Sequence, residues 1–69
     1  MKKNIISDFV KERRRAARLT QVELAAKAGV GLRFIRDLEQ GKNSLRADTV
    51  NKVLFLFGKR LGPVDMDRD

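Results

Sequence analysis

The sequence predicts an all-α domain of four short helices, and three observations predict it. Apolar residues recur at spacings of three and four in two stretches, Ile6, Phe9, Val10 and Ala17 in one and Val50, Val53, Leu54 and Phe57 in the other. The region between them is divided by a helix-starting box, T-Q-V-E, and by glycines at 29, 31 and 41. A chain of 69 residues holds one small domain at most. At that size folding buries only about 60% of the unfolded surface, and a second copy is a common source of added stability.

The elements follow in chain order. Residues 1–4 form a basic arm in which Lys2 and Lys3 either touch phosphate or fray. Residues 4–18 read as the first helix, with Arg14 beside its apolar face and good helix formers at Ala16 and Ala17. Thr20 caps a second helix over 21–28, Glu23 completes the capping box, and Leu19 and Leu24 stand at the staple positions. Val22, Leu24, Ala25 and Ala28 read as its packing residues. Gly29 takes the left-handed turn that ends it. Gly31 caps a third helix over 32–40, stopped by Gly41. Ile35 and Leu38 face inward, which leaves Leu32, Arg33, Arg36 and Asp37 outward and Phe34 on the flank. Beyond the loop 40–46, a fourth helix begins near Arg46 within residues 45–57, with Asp48 in its first turn. Phe55 and Leu56 lie off its apolar stripe and imply a second covered face, read as dimer contact. Gly62 and Pro63 break any helix after Gly58, so Leu61 and Val64 lie in a strand or in a plain extended tail. Residues 65–69 read as an acidic flexible tail outside a domain spanning 1–64.

Sixteen Lys and Arg against nine Asp and Glu give +7; the tail 65–69 carries −2, so residues 1–64 carry +9. That balance suits a polyanionic partner, and it suits a merely solvated surface equally well. The absence of cysteine excludes disulfides and thiolate metal sites. The absence of histidine removes the commonest general base and the commonest metal ligand. Asp8, Glu12, Asp37 and Glu39 show no spacing that suggests an acid–base pair. The expectation is a non-enzyme without metal or cofactor. No targeting segment is evident, and the longest apolar run, 53–57, falls far short of the about 20 residues that span a bilayer, so the expected location is cytoplasmic.

Two short helices joined by a tight glycine turn form a helix-turn-helix, a unit that lays its second helix in the major groove of DNA. The residues that carry a family likeness are Thr20-Gln21, Glu23-Leu24-Ala25, Gly29-Val30, Ile35, Leu38-Glu39 and Gly41, with Arg14 upstream and Val50, Val53, Leu54 and Gly58 downstream. Through them residues 6–58 resemble the phage repressor and Cro class, the Xre family. The resemblance implies a compact four-helix, repressor-like domain that binds double-stranded DNA as a homodimer. It implies an ion pair between Arg14 and Glu39 that ties the first helix to the third. It implies base reading by Leu32, Arg33, Arg36 and Asp37, and phosphate contacts from Gln21, Lys27, Lys42, Asn43 and Arg46.

The chemistry of these side chains agrees with such roles. Arginine binds guanine O6 and N7 bidentately, and an aspartate accepts from a cytosine amine. Asp37 has a second option, orienting Arg33 four residues before it. Leu32 reads as a thymine-methyl contact or as incidental apolar surface. Gln21 sits in the first turn of its helix, where unpaired N–H groups favour an anion. Phe34 belongs at the rim of the core, near the sugar–phosphate, or against a protein partner. In the HipB-type antitoxin branch, a strand after the last helix pairs with its copy across a two-fold axis, and residues 59–64 match that place. This branch implies Leu61 and Val64 beside Phe55 and Leu56 in a dimer interface, and a HipA-like kinase toxin as a second partner. The function expected is sequence-specific transcriptional regulation, as a repressor on a palindromic operator, in a narrower form as such an antitoxin. The alternative is a protein-binding adaptor on the same fold, with Leu32, Phe34, Phe55 and Leu56 as partner surface.

Overall fold

The structure, a computed structural model, describes residues 4–65. The expected arm at Lys2 and Lys3 and the tail beyond Asp65 lie outside the described residues. Four helices follow one another: α1 (Ile5–Ala16), α2 (Gln21–Ala28), α3 (Leu32–Glu39) and α4 (Ala47–Phe55). There is no strand among the described residues; residues 59–65 run without regular structure.

Two of the helices, α1 and α2, begin at a side-chain cap. Asn4 caps α1 by accepting from the Ser7 amide at 2.6 Å, while the Ser7 hydroxyl donates back to the Asn4 carbonyl at 3.1 Å. Thr20 and Glu23 form the reciprocal box that starts α2: the Thr20 hydroxyl oxygen accepts from the Glu23 amide at 3.1 Å, and Glu23 Oε1 accepts from the Thr20 amide at 2.8 Å. That amide holds the Glu23 carboxyl below the usual carboxylate range. The starts of α3 and α4, at Gly31 and Arg46, have no side-chain cap.

All four helices end in the same backbone turn. At each end one amide reaches back three residues and the next reaches back five, as in a Schellman motif. The residue between stands in the left-handed region: Gly29, Gly41 and Gly58 after α2, α3 and α4, and Arg18, at φ 59°, after α1. This turn trims three of the expected helices. α1 stops at Ala16, because Arg18 and Leu19 fold back onto the Arg15 and Arg14 carbonyls. α3 stops at Glu39. α4 is shorter than residues 45–57, because Gly58 and Lys59 fold back onto Phe55 and Leu54.

The core is Val10, Leu24, Ala25, Ile35, Leu38, Val50, Val53 and Leu54, with Ile6, Phe9, Leu19, Phe34, Leu45, Phe57 and Leu61 packed around it. Val10, Leu24, Ile35 and Val53 are fully enclosed. Each contributes roughly 1.5–3 kcal/mol by leaving water. α3 packs on both α1 and α2, and α4 closes over α2. Val22 does not pack as expected; it is 60% exposed. Two residues along a helix are roughly 200° apart, so when Leu24 points inward Val22 points out. Phe9 and Phe57 meet edge to face at 6.0 Å, and the Arg13 guanidinium lies 5.3 Å from the Phe9 ring. Leu61 is held to α4 by its amide, which donates to Asn51 Oδ1 at 2.7 Å.

Candidate nucleic-acid interface

The two sides of α3 have different fates. Ile35, Leu38 and Glu39 are buried, whereas Arg33 and Arg36 are exposed and Leu32 and Asp37 are half-buried. Phe34 packs against the core, so it belongs to the rim of the domain rather than to a free surface.

The buried side is anchored by charge. Arg14 Nε donates to Glu39 Oε2 at 2.7 Å and Arg14 Nη2 to Glu39 Oε1 at 3.0 Å, a bidentate fork. Arg14 Nη1 donates to the Leu19 carbonyl at 2.9 Å. Glu39, 3% exposed at its side chain, holds the Arg14 pKa above its ordinary value through that hydrogen bond. The Gln21 amide also donates to Glu39 Oε1, at 3.1 Å. One carboxylate therefore ties α1, the first residue of α2 and the end of α3, and Arg14 extends the tie to the turn before α2. No buried side-chain nitrogen or oxygen among the described residues lacks a partner. Gln21, expected as a phosphate contact, thus has its NH₂ engaged inside the protein. Glu23 and Leu24 give their amides to Thr20, which leaves the first two amides of α2 for an outside acceptor.

The exposed side is less constrained. Arg33 and Arg36 make no ion pair among the described residues, while Asp37 Oδ2 lies 3.6 Å from Lys42 Nζ. Asp37 pairs with the loop and not with Arg33. Of the other expected phosphate contacts, Lys27 and Asn43 are exposed. Arg46 is 81% exposed at its side chain and pairs with Asp48 at 3.0 Å, which lowers the Asp48 pKa. The bond from Gln21 to Glu39 brings the start of α2 beside the end of α3, where the loop carrying Lys42 and Asn43 departs.

A helix-turn-helix family model matches residues 10–63. The chain belongs to the helix-turn-helix family. An uncharacterised HTH-type transcriptional regulator, y4mF, of Sinorhizobium fredii (strain NBRC 101917 / NGR234) is 47% identical over 53 residues, covering 77% of this chain and 70% of that relative. The helix-turn-helix proper is α2, the Gly29 turn and α3, and α1 and α4 hold it from behind. No helix among the described residues is long and apolar enough to cross a membrane, and no cluster of metal-ligating side chains occurs among them.

Of the residues expected at a dimer contact, Phe55 is 63% exposed, Leu56 43% and Val64 87%, whereas Leu61 packs on its own core. Ile5, 88% exposed, escaped the sequence reading. It and Val64 line an apolar groove of about 440 Å³ between the start of α1 and the tail. Nothing in the spacing of Ile5 marks it, because four residues before Phe9 it falls at a packing position by helical period. Asn51 has no mark in the sequence either: its partner, the Leu61 amide, lies ten residues on, beyond the end of its helix.

Proposed function

We propose that the chain is a sequence-specific DNA-binding transcriptional regulator that lays α3 in the major groove. Leu32, Arg33, Arg36 and Asp37 read bases, and Lys27, Lys42, Asn43, Arg46 and the start of α2 at Gln21 meet phosphates. The observation that carries this reading is the state of Arg33 and Arg36: two exposed arginines, three apart on one helix, without ion-pair partners among the described residues. The other side of that helix is fixed by Glu39 and the core. A guanidinium held on a rigid support and free of internal partners suits bidentate contact with guanine. The charge of +7 supplies attraction to phosphate. The relative's description as a transcriptional regulator points the same way.

In its fuller form the proposal is a homodimer on a palindromic operator, acting as a repressor, with Phe55, Leu56 and Val64 against the second copy and Leu61 supporting them from the core. Two recognition helices would then lie about 34–36 Å apart, one turn of DNA. Exposure of three large apolar side chains in so small a domain supports this arrangement. A role as the antitoxin of a HipA-like kinase is the narrowest form, resting on resemblance in the segment after Gly58.

The test is selection of duplexes from a random pool by the full chain, with sedimentation of the protein alone and on the selected duplex. A recovered inverted repeat bound by two copies supports the proposal. Failure to enrich any sequence overturns it, and a protein then captured by the tagged chain from its native cells sends the reading to the adaptor.

A further inference from the structure

The exposed side of α3 carries one acid among its cations. Glu39 is enclosed with Arg14, so Asp37 is the α3 carboxylate that faces a prospective ligand, next to Arg36 and one turn after Arg33. A negative charge there opposes any polyanion. Its partner is placed by the backbone: the Lys42 amide donates to the Asp37 carbonyl at 3.1 Å within the Gly41 turn. The side chains then meet at 3.6 Å. The two are unequally held. Lys42 is 52% exposed and Asp37 22%, so the ammonium on its flexible stem is free to leave while the carboxylate stays.

We infer that Asp37 and Lys42 form a charge exchange that weakens binding to arbitrary DNA and is released by the correct base pair. This rests on the DNA-binding reading above. On a duplex that offers no amine beneath Asp37, Lys42 stays on the carboxylate. Leaving would strand a negative charge against groove acceptors and phosphates. Where a cytosine N4 or adenine N6 amine lies beneath Asp37, the amine donates to the carboxylate and takes over its neutralisation. Lys42 then moves to a phosphate. One base contact and one phosphate contact are gained together, so Asp37 acts on backbone binding through Lys42 as well as on the base it faces. The consequence is measurable, because each phosphate neutralised adds about 0.9 to the slope of log K against log salt. A Lys42 bound to phosphate regardless of sequence adds the same increment on every duplex.

The experiment uses the full chain and two duplexes of equal length, one enriched by the wild type from a random pool and one a scrambled version. Affinity is measured across a salt series for the wild type, Asp37→Asn and Lys42→Ala. The wild type shows a slope steeper by about 0.9 on the enriched duplex. Asp37→Asn binds the scrambled duplex roughly three- to tenfold more tightly and erases the difference in slope. Lys42→Ala flattens the slope on the enriched duplex alone. Equal wild-type slopes on the two duplexes, or variants that shift both duplexes alike, overturn the exchange and leave DNA binding standing. A wild type that enriches no sequence and does not bind the starting random pool of duplexes overturns the DNA reading, and the exchange with it.

Discussion

Two carboxylates stand two residues apart on α3 and live under opposite conditions. Glu39 accepts three hydrogen bonds inside the domain, two from Arg14 and one from Gln21. Asp37 has one loose partner at 3.6 Å, and that partner is half in water. The residues are roughly 200° apart around the helix, so one points to the junction of three helices and the other away from it. The difference shows how a short helix divides its work. A buried, fully bonded charge fixes how α3 is oriented. An exposed pair contributes little to stability and is free to respond to a ligand.

The largest effect should come from the buried side. Glu39→Ala strands the Arg14 guanidinium, at a cost of about 3–5 kcal/mol in urea unfolding. For a domain this small that approaches the whole of its stability, which scales as about 0.05–0.15 kcal/mol per residue. Adding Arg14→Ala to that variant should cost much less than Arg14→Ala alone; full additivity would break the view of the pair as one unit.

On the exposed side, Arg33→Ala should leave the melting curve in place and lose about 1–3 kcal/mol of discrimination at one base pair. A uniform loss on all duplexes would place Arg33 among the phosphate contacts instead. Arg18 tests what the left-handed turn beside the buried pair costs. It holds φ 59° where the other three helix ends use glycine. The left-handed conformation costs an L-residue roughly 1–2 kcal/mol, partly offset by the entropy glycine loses on folding. Arg18→Gly should therefore stabilise the domain by about 0.5 kcal/mol, read as a rise in melting temperature of a few degrees. The smallest effect is Asp37→Asn, expected within about 0.5 kcal/mol of wild type in the same unfolding measurement. A loss as large as that of Glu39→Ala would erase the contrast between the two carboxylates.

How much of this was legible depends on how local each cause is. The start and end of α2 are written in adjacent residues, Thr20, Glu23 and Gly29, and the structure places them where the spacing predicts. The inward residues Ile35 and Leu38 follow from helical period alone. The Arg14–Glu39 contact joins residues 25 apart, and only the family resemblance pointed to it. Gln21, expected at a phosphate, gives its NH₂ to Glu39 instead, and nothing near it in sequence announces that partner. The pairing of Asp37 with Lys42 was missed for a related reason. It requires the chain to reverse at Gly41, and helical spacing instead favoured Arg33. Val22 is a simpler case: two residues before the core position Leu24, it is apolar and expected to pack, yet it lies on the opposite side of the helix.

The junction at Glu39 also governs how the molecule breathes. If α3 swung away by itself, Arg14 and Gln21 would lose their acceptor together, and the apolar surfaces of both α1 and α2 would be wetted. Local opening of α3 therefore costs nearly as much as opening everything. Amide protons in the middle of α1, α2 and α3 should exchange with solvent deuterium in a single slow class, while those near the end of α4 and in the tail exchange ahead of them.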